Sequence, residues 1–150
     1  MKTGIGDWGL EVGADGSSYE LSEDVMSVKS YEDLEVWQLG REIAEITYRL
    51  TQHFPPDELY GLRLQMRKAA VSIPSNTAEG HERDGTKEFL HFLSIARGSL
   101  GELHTQYLLS VRLRSISAEA FQPLSEKLRI QGAFKVYWKQ GTPTLSFLAT

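Results

Sequence analysis

Glu88 and His91 have the Glu-x-x-His spacing that helical bundles with two iron ions use for their metal ligands. Such a site needs two of these pairs and two further glutamates that project into one core, whereas this chain offers a single pair. Phe89 and Phe92 take the buried face of the same predicted helix, so Glu88 and His91 are expected at the surface. The spacing therefore predicts no metal site.

Other patterns that resemble catalytic or nucleotide-binding motifs lie in the wrong structural context. Residues 4–9 match G-x-G-x-x-G, but neither a strand before them nor a helix after them is predicted. Residues 98–101 read Gly-Ser-Leu-Gly in the middle of a predicted helix, which is not the strand-turn-helix elbow of serine hydrolases. The remaining histidines have no paired spacing, and the chain has no cysteine. We therefore expect a protein that is not an enzyme and has no catalytic residue, cofactor or metal.

Five basic side chains on and just after the second predicted helix are the candidate surface for nucleic-acid phosphates or for a protein partner. They are Arg63, Arg67, Lys68, Arg83 and Lys87. The alternative interpretation is a solvated face on which Glu82 and Asp84 pair with them. The net charge is −4, and the range 31–124 holds thirteen acidic and ten basic residues. This balance predicts that nucleic-acid binding, if it occurs, is weak.

The elements that carry these residues are predicted by apolar side chains at three- and four-residue spacing. The first helix is expected over about 32–53 and the second over about 57–80. Thr86 is expected to cap the third helix, and the fourth begins after Ser117. The predicted buried positions are Val36, Gly40, Ile43, Thr47, Leu50, Phe54, Leu59, Leu62, Met66, Ala69, Ala70, Ile73, Phe89, Phe92, Leu93, Ala96, Leu100, Leu103, Tyr107, Phe121, Leu124, Leu128 and Ile130. Four helices with short connections predict an all-α fold, an antiparallel up-down four-helix bundle.

Residues 72–80, which read SIPSNTAEG, place a proline inside the second helix. Pro74 has no backbone N–H, so the carbonyl of Ala70 loses its usual partner. Asn76 lies close enough in sequence to satisfy freed backbone groups with its amide. Gly80 is expected to end the helix. The segment is therefore predicted to shape the helix rather than to perform chemistry.

Glycines and aromatic residues carry two further expectations about packing. Gly98 and Gly101 lie inside the third helix, where each costs roughly 1 kcal/mol relative to alanine, and close approach of a neighbouring helix would offset that cost. Trp37, Tyr48 and Tyr60 are expected in the core rather than as anchors for a partner.

The two ends of the chain differ from its middle. Residues 1–30 hold six acids and two bases without apolar periodicity, which predicts a flexible, disordered leader, and Met26 is an alternative start site. The bundle is expected over 31–140 and an irregular tail over 141–150. No apolar run reaches the roughly 18 residues that span a bilayer, and no secretory signal begins the chain, so a cytoplasmic protein without a membrane partner is expected.

Several ordered motifs together identify a family. They are YEDLEVWQ at 31–38, YRLT at 48–51, FP at 54–55, YGL at 60–62, QMRKAAVSIPSNTAEG at 65–80, KEFLHFL at 87–93 and ARGSL at 96–100. Residues 31–124 thereby resemble the four-helix-bundle proteins encoded in 23S ribosomal RNA intervening sequences. Trp37, Pro74, Asn76, Glu79 and Gly80 are the structural residues of this motif. After Leu124 the family pattern continues as a regular apolar helix, whereas this chain reads RIQGAFKVYWKQGTP at 129–143.

The resemblance implies a bundle that assembles into a homo-oligomeric ring, most often a pentamer, and has no enzymatic activity. It also implies kinship with the accessory variability protein of diversity-generating retroelements, which binds a reverse transcriptase and nucleic acid through a basic surface. The leading hypothesis is a ring-forming scaffold or adaptor. The alternative is a nucleic-acid-binding accessory factor similar to that retroelement protein.

Overall fold

The computed structural model describes residues 11–12, 18–19, 28–58 and 61–128. Within these ranges the chain forms four α-helices and one short antiparallel strand pair. The helices are α1 (Glu35–Thr51), α2 (Leu62–Glu82), α3 (Thr86–Arg112) and α4 (Ala118–Leu128). The strands β1 (Glu11–Val12) and β2 (Ser18–Tyr19) pair in the leader. The rest of the leader up to residue 27, the predicted end of the bundle over 129–140 and the predicted tail over 141–150 lie outside the described ranges.

The helices pack as an up-down bundle, which confirms the predicted all-α fold. α2 lies between α1 and α3 and packs on both, and α4 returns to contact α1 and α3. Lys127 near the end of α4 donates a hydrogen bond to the Glu42 carboxylate of α1. This bond holds the pKa of Glu42 below its ordinary value. Short turns of 3-10 helix, Tyr31–Asp33 and Pro56–Glu58, precede α1 and α2.

The core contains the apolar faces that the periodicity predicts. Fully buried predicted positions include Ile43, Met66, Ala70, Phe89, Leu93, Leu103, Tyr107 and Leu124. Four aromatic side chains are less buried than predicted. Trp37, Phe92 and Phe121 are half-buried, although Trp37 and Phe121 pack against the core. Tyr48 was expected in the core, but it is 44 % exposed because it lies on the outward side of α1. Leu59, Tyr60 and Ile130 lie outside the described residues.

Neighbouring helices approach closely at Gly40 and Gly80, and not at Gly98 and Gly101 as predicted. A Cβ on Gly40 of α1 would lie 3.0 Å from Ile73 and 3.2 Å from the backbone nitrogen of Pro74. A Cβ on Gly80 would lie 2.6 Å from the Cβ of Phe92 on α3. Gly98 and Gly101 have nothing within 4 Å of such an atom, so the prediction that they admit a neighbouring helix within the chain is wrong.

The third helix begins at Thr86 as predicted, whereas the second begins at Leu62 rather than near Asp57, and the predicted end at Gly80 and the predicted cap at Thr86 are wrong. α2 continues past Gly80 to Glu82. Gly80 is buried inside the helix because α3 occupies the space beside it. Thr86 is the buried first residue of α3, and Gly85, with φ of 98°, occupies the N-cap. At the start of α2 the Glu58 carboxylate accepts a hydrogen bond of 2.9 Å from the Leu62 N–H, which satisfies one free donor of the first turn.

Candidate functional site

The five predicted basic residues are divided between the two ends of α2. Arg63, Arg67 and Lys68 lie in its first two turns, and Arg83 follows its last residue. The rise of an α-helix separates Arg63 from Arg83 by about 30 Å. Lys87 is exposed in the first turn of α3. The structure therefore places three of the five at one end of the bundle and two at the other.

Arg67 is part of the packing between α1 and α2. Its Nε donates a hydrogen bond of 2.8 Å to Thr51 Oγ1, and its Nη2 donates one of 3.2 Å to the Tyr48 carbonyl. The guanidinium also lies over the Tyr48 ring, 4.4 Å from the centroid. Since these contacts close the end of α1 onto α2, Arg67 has a structural role whatever else it binds.

Arg83 and Glu79 form a pair at the far end of α2. The Arg83 Nη2 donates to Glu79 Oε1 at 2.9 Å, and the guanidinium lies 5.5 Å from the Phe92 ring centroid. Lys68 is exposed and Arg63 is half-buried. Of the predicted basic set, Lys68 and Lys87 are thus the exposed members for which no such contact occurs among the described residues.

A shallow groove of about 480 Å³ lies between α1 and α2. Its lining residues are Arg41, Ala44, Glu45, Tyr48, Arg49 and Pro74. The Glu45 carboxylate is shared by Arg41, 3.8 Å away, and Arg49, 3.5 Å away. The groove thus has two guanidinium groups and one carboxylate beside an apolar floor, and the Arg67 guanidinium lies over the Tyr48 ring. We call it the α1–α2 groove.

Arg41 and Arg49 were not among the residues selected from the sequence. A signal for them exists, because residues 41, 45, 48 and 49 recur at three- and four-residue spacing and therefore share one side of a helix. That signal could not show that Pro74 of another helix supplies the opposite wall.

The motif residues Trp37 and Asn76 have packing contacts. The Trp37 ring centroid lies 5.5 Å from that of Tyr31, and the Arg41 guanidinium lies 5.6 Å from it. The Asn76 amide donates to the carbonyl and to the Oγ of Ser72, both at 2.8 Å. Asn76 therefore bonds to Ser72 rather than to the Ala70 carbonyl that Pro74 frees.

Buried hydroxyl groups link the helices through a satisfied network. Tyr107 Oη donates to Thr47 Oγ1 at 2.6 Å, and Thr47 Oγ1 donates to the Ile43 carbonyl at 2.7 Å. Ser72 Oγ and Ser99 Oγ share a hydrogen bond of 2.8 Å between α2 and α3. Burial raises the pKa of the Tyr107 phenol above its ordinary value. These polar side chains hold helices together.

The candidate metal and histidine positions do not converge in the part of the chain that the structure describes. Glu88 and His91 are both exposed. His81 is buried, with ring centroids of Tyr31 and Phe89 at 6.4 Å and 6.1 Å. No group of three or more possible metal ligands occurs among the described residues. None of the described helices is both long enough and apolar enough to cross a bilayer.

The outward side of α3 has a row of exposed residues at alternating three- and four-residue spacing. These residues are Ile95, Gly98, Glu102, Thr105 and Leu109. We call them the outer α3 stripe. Ile95 is 39 % and Leu109 is 45 % exposed, and Leu108 and Leu113 beside them are also exposed. Apolar surface at helical spacing is typical of a helix–helix contact.

Comparison with known families agrees with this fold. A family model described as 23S rRNA-intervening sequence protein matches residues 32–132, which is more than half of the chain. All five basic residues and all five motif residues lie inside that range. No curated protein sequence matches the chain.

Proposed function

Because the chain belongs to the 23S rRNA-intervening sequence protein family, we propose that it is a non-enzymatic bundle that assembles with copies of itself as a ring-forming scaffold or adaptor. The observation that carries this proposal is the outer α3 stripe. Exposed aliphatic residues scattered singly are ordinary, but Ile95, Leu108, Leu109 and Leu113 are concentrated on and next to one helix. A second copy that covered the stripe would remove Ile95, Leu109 and the adjacent Leu113 from water.

The interior supports the non-enzymatic part of the proposal. The buried hydroxyl groups of Thr47, Thr51 and Ser110 donate to backbone carbonyls of their own helices. The Tyr107 hydroxyl in turn donates to Thr47. All four side chains are fully buried, so a substrate cannot reach them while the bundle is folded.

Sedimentation velocity of the full chain over a range of micromolar concentrations tests self-assembly. A closed ring gives one discrete mass above the monomer, since a ring has no free end at which to grow. An open chain of copies gives masses that rise continuously with concentration. A monomer across the whole range contradicts the proposal.

A second candidate function is nucleic-acid binding as an accessory factor, and the α1–α2 groove is the observation that favours it. Arg41 and Arg49 line it beside the exposed Tyr48 ring, and Arg67 lies over that ring. Arginines beside an exposed aromatic ring are a common arrangement in proteins that bind single strands. The chain's net charge of −4 opposes this function.

A salt series with single- and double-stranded RNA and DNA distinguishes the two functions. We expect no binding at physiological salt, and a log–log slope no steeper than about −5 if about five phosphates are contacted. Two charge-reversed variants test the two surfaces, Arg41→Glu/Arg49→Glu for the groove and Arg63→Glu/Lys68→Glu for the predicted helix face. Arg67 is left intact because its hydrogen bonds belong to the fold. Tight binding that either variant abolishes would favour the accessory function over the scaffold.

A further inference from the structure

Gly98 and Gly101 destabilise α3 without a compensating contact inside the chain. Glycine in an exposed helix interior costs roughly 1 kcal/mol relative to alanine. At Gly40 and Gly80 that cost is offset, because a neighbouring helix occupies the space of a side chain. At Gly98 and Gly101 the space is open to 4 Å. A helix without side chains at these two positions presents a nearly flat backbone, which another surface can approach closely.

The arginines of the α1–α2 groove and the middle of the outer α3 stripe extend over similar lengths of their helices. Arg41 and Arg49 stand two turns apart on α1, about 12 Å along the axis. Gly98 and Thr105 stand seven residues apart on α3, about 10 Å along the axis. The groove floor of Ala44, Tyr48 and Pro74 is apolar and open to solvent.

The stripe has one acidic side chain, whereas the groove has two arginines and one glutamate. Glu102 is the charged residue of the stripe, it lies between Gly98 and Thr105, and its Oε1 accepts a hydrogen bond of 3.1 Å from the Gln106 amide. The Arg41 and Arg49 side chains at the groove are 56 % and 73 % exposed and share the single carboxylate of Glu45 at 3.5 Å or more. Their remaining donors are therefore open to a second carboxylate.

We propose that the α1–α2 groove of one copy receives the outer α3 stripe of the next copy, with Glu102 between Arg41 and Arg49. This inference rests on the proposed self-assembly and names the surfaces that form it. The groove and the stripe are different surfaces of the same molecule, so the contact is heterologous. Each copy uses its groove for one neighbour and its stripe for another, and repetition of that contact closes a ring when the rotation between copies allows it.

Two single-surface variants test the contact. Gly98→Arg places a long cationic side chain on the stripe, at a position where the fold leaves open space. Arg41→Glu/Arg49→Glu reverses the charge of the groove. Each variant is expected to raise the concentration at which half of the protein assembles by at least about tenfold, which corresponds to about 1.4 kcal/mol. Glu126→Arg, an exposed change on α4 outside both surfaces, is the matched control and should assemble like the wild type.

A mixture of the two variants gives the sharper result. The Gly98→Arg copy keeps an intact groove, and the Arg41→Glu/Arg49→Glu copy keeps an intact stripe. Their one remaining complementary contact should yield a dimer that grows no further, although each variant alone sediments as a monomer. A contact that pairs the same surface on both copies would yield no such dimer.

The outcomes separate this inference from the proposed function. If the wild type assembles and both variants assemble equally well, self-assembly stands and the proposed surfaces are wrong. If the mixture stays monomeric, the heterologous pairing is wrong. If the wild type itself is monomeric, both proposals are contradicted. Circular dichroism of each variant at low concentration checks that a loss of assembly is not a loss of folding.

Discussion

Gly80 and Gly98 are both helical glycines, yet a methyl group would meet opposite surroundings at the two positions. At Gly80 it would lie 2.6 Å from the Cβ of Phe92, so α2 and α3 must separate. We expect Gly80→Ala to lower the free energy of unfolding by about 1–3 kcal/mol. At Gly98 the space is open, and Gly98→Ala should raise it by up to about 1 kcal/mol through helix propensity alone.

Urea titration of both alanine variants, at a concentration below assembly, measures these effects. A Gly80→Ala protein as stable as the wild type would show that the two helices are not constrained there. The Gly98→Ala variant has a second use, because a methyl group that stabilises the monomer should also weaken the proposed contact.

The hydrogen bond from Tyr107 to Thr47 is expected to respond unequally to changes of its two partners. Tyr107→Phe removes the donor and leaves the Thr47 hydroxyl bonded to the Ile43 carbonyl, so it should cost about 0.5–1.5 kcal/mol. Thr47→Val leaves a buried phenol without its acceptor and should cost about 1–3 kcal/mol. Denaturant unfolding at neutral pH compares the two, and an equal cost would mean that the phenol finds another partner.

The raised pKa of Tyr107 also predicts that the protein loses stability at alkaline pH. Burial raises the pKa of its phenol in the folded state, so above pH of about 10 the unfolded chain releases this proton while the folded chain keeps it. The contribution of this phenol to the free energy of unfolding is fully present below pH of about 10. Above that pH it falls by up to about 1.4 kcal/mol for each pH unit. Unfolding free energies from neutral to alkaline pH should therefore fall less steeply for Tyr107→Phe than for the wild type. Parallel profiles would contradict this assignment.

At the scale of elements, a series of hydrogen bonds links α2 to α3 next to Pro74. The Asn76 amide donates to Ser72, whose hydroxyl shares a hydrogen bond with Ser99. Pro74 interrupts the backbone hydrogen bonds of α2 within the same turn. These hydrogen bonds therefore support α2 in the turn where its backbone hydrogen bonds are interrupted.

Asn76→Ala is expected to destabilise the bundle by about 1 kcal/mol, because the hydrogen bonds to Ser72 are lost. Ser75→Ala is the matched control, since Ser75 is the exposed neighbour in the same turn and should change stability by less than about 0.5 kcal/mol. The measurement is a denaturant titration of both variants. Equal midpoints for Asn76→Ala and Ser75→Ala would argue against a role for the amide.

At the scale of the whole molecule, the apolar core begins at Val28 within the described residues. Val28 and Tyr31 pack against the buried cluster, and Tyr31 also contacts Trp37 and His81. The leader before them is acidic and lacks apolar periodicity. The boundary between leader and bundle is thus expected between residues 25 and 28.

Two truncations test this boundary. Deletion of residues 1–25 should leave the thermal midpoint nearly unchanged. Deletion of residues 1–31 removes Val28 and Tyr31 and should cost about 1–2 kcal/mol, which is several degrees in a domain of this size. A large fall after the shorter deletion would show that the leader packs on the bundle.

The sequence by itself determined the helices, their buried faces and the family. Apolar residues such as Ile43, Met66, Leu93 and Leu124 recur with the period of an α-helix, and that period is a local property which any reader of the chain can count. The motif over 65–80 is likewise a string of adjacent residues, so the resemblance did not depend on knowing which helices touch.

Only the tertiary structure decided what the glycines and arginines do. Gly40 and Gly80 face a neighbouring helix while Gly98 and Gly101 face open space, although all four lie inside helices. Arg67 of α2 contacts Tyr48 and Thr51 of α1. Pro74 of α2 lines a groove whose two arginines belong to α1. These roles depend on which side of one helix lies against which side of another. Side-chain periodicity defines each face, but the choice of its neighbour is made by packing between residues that are distant in the chain.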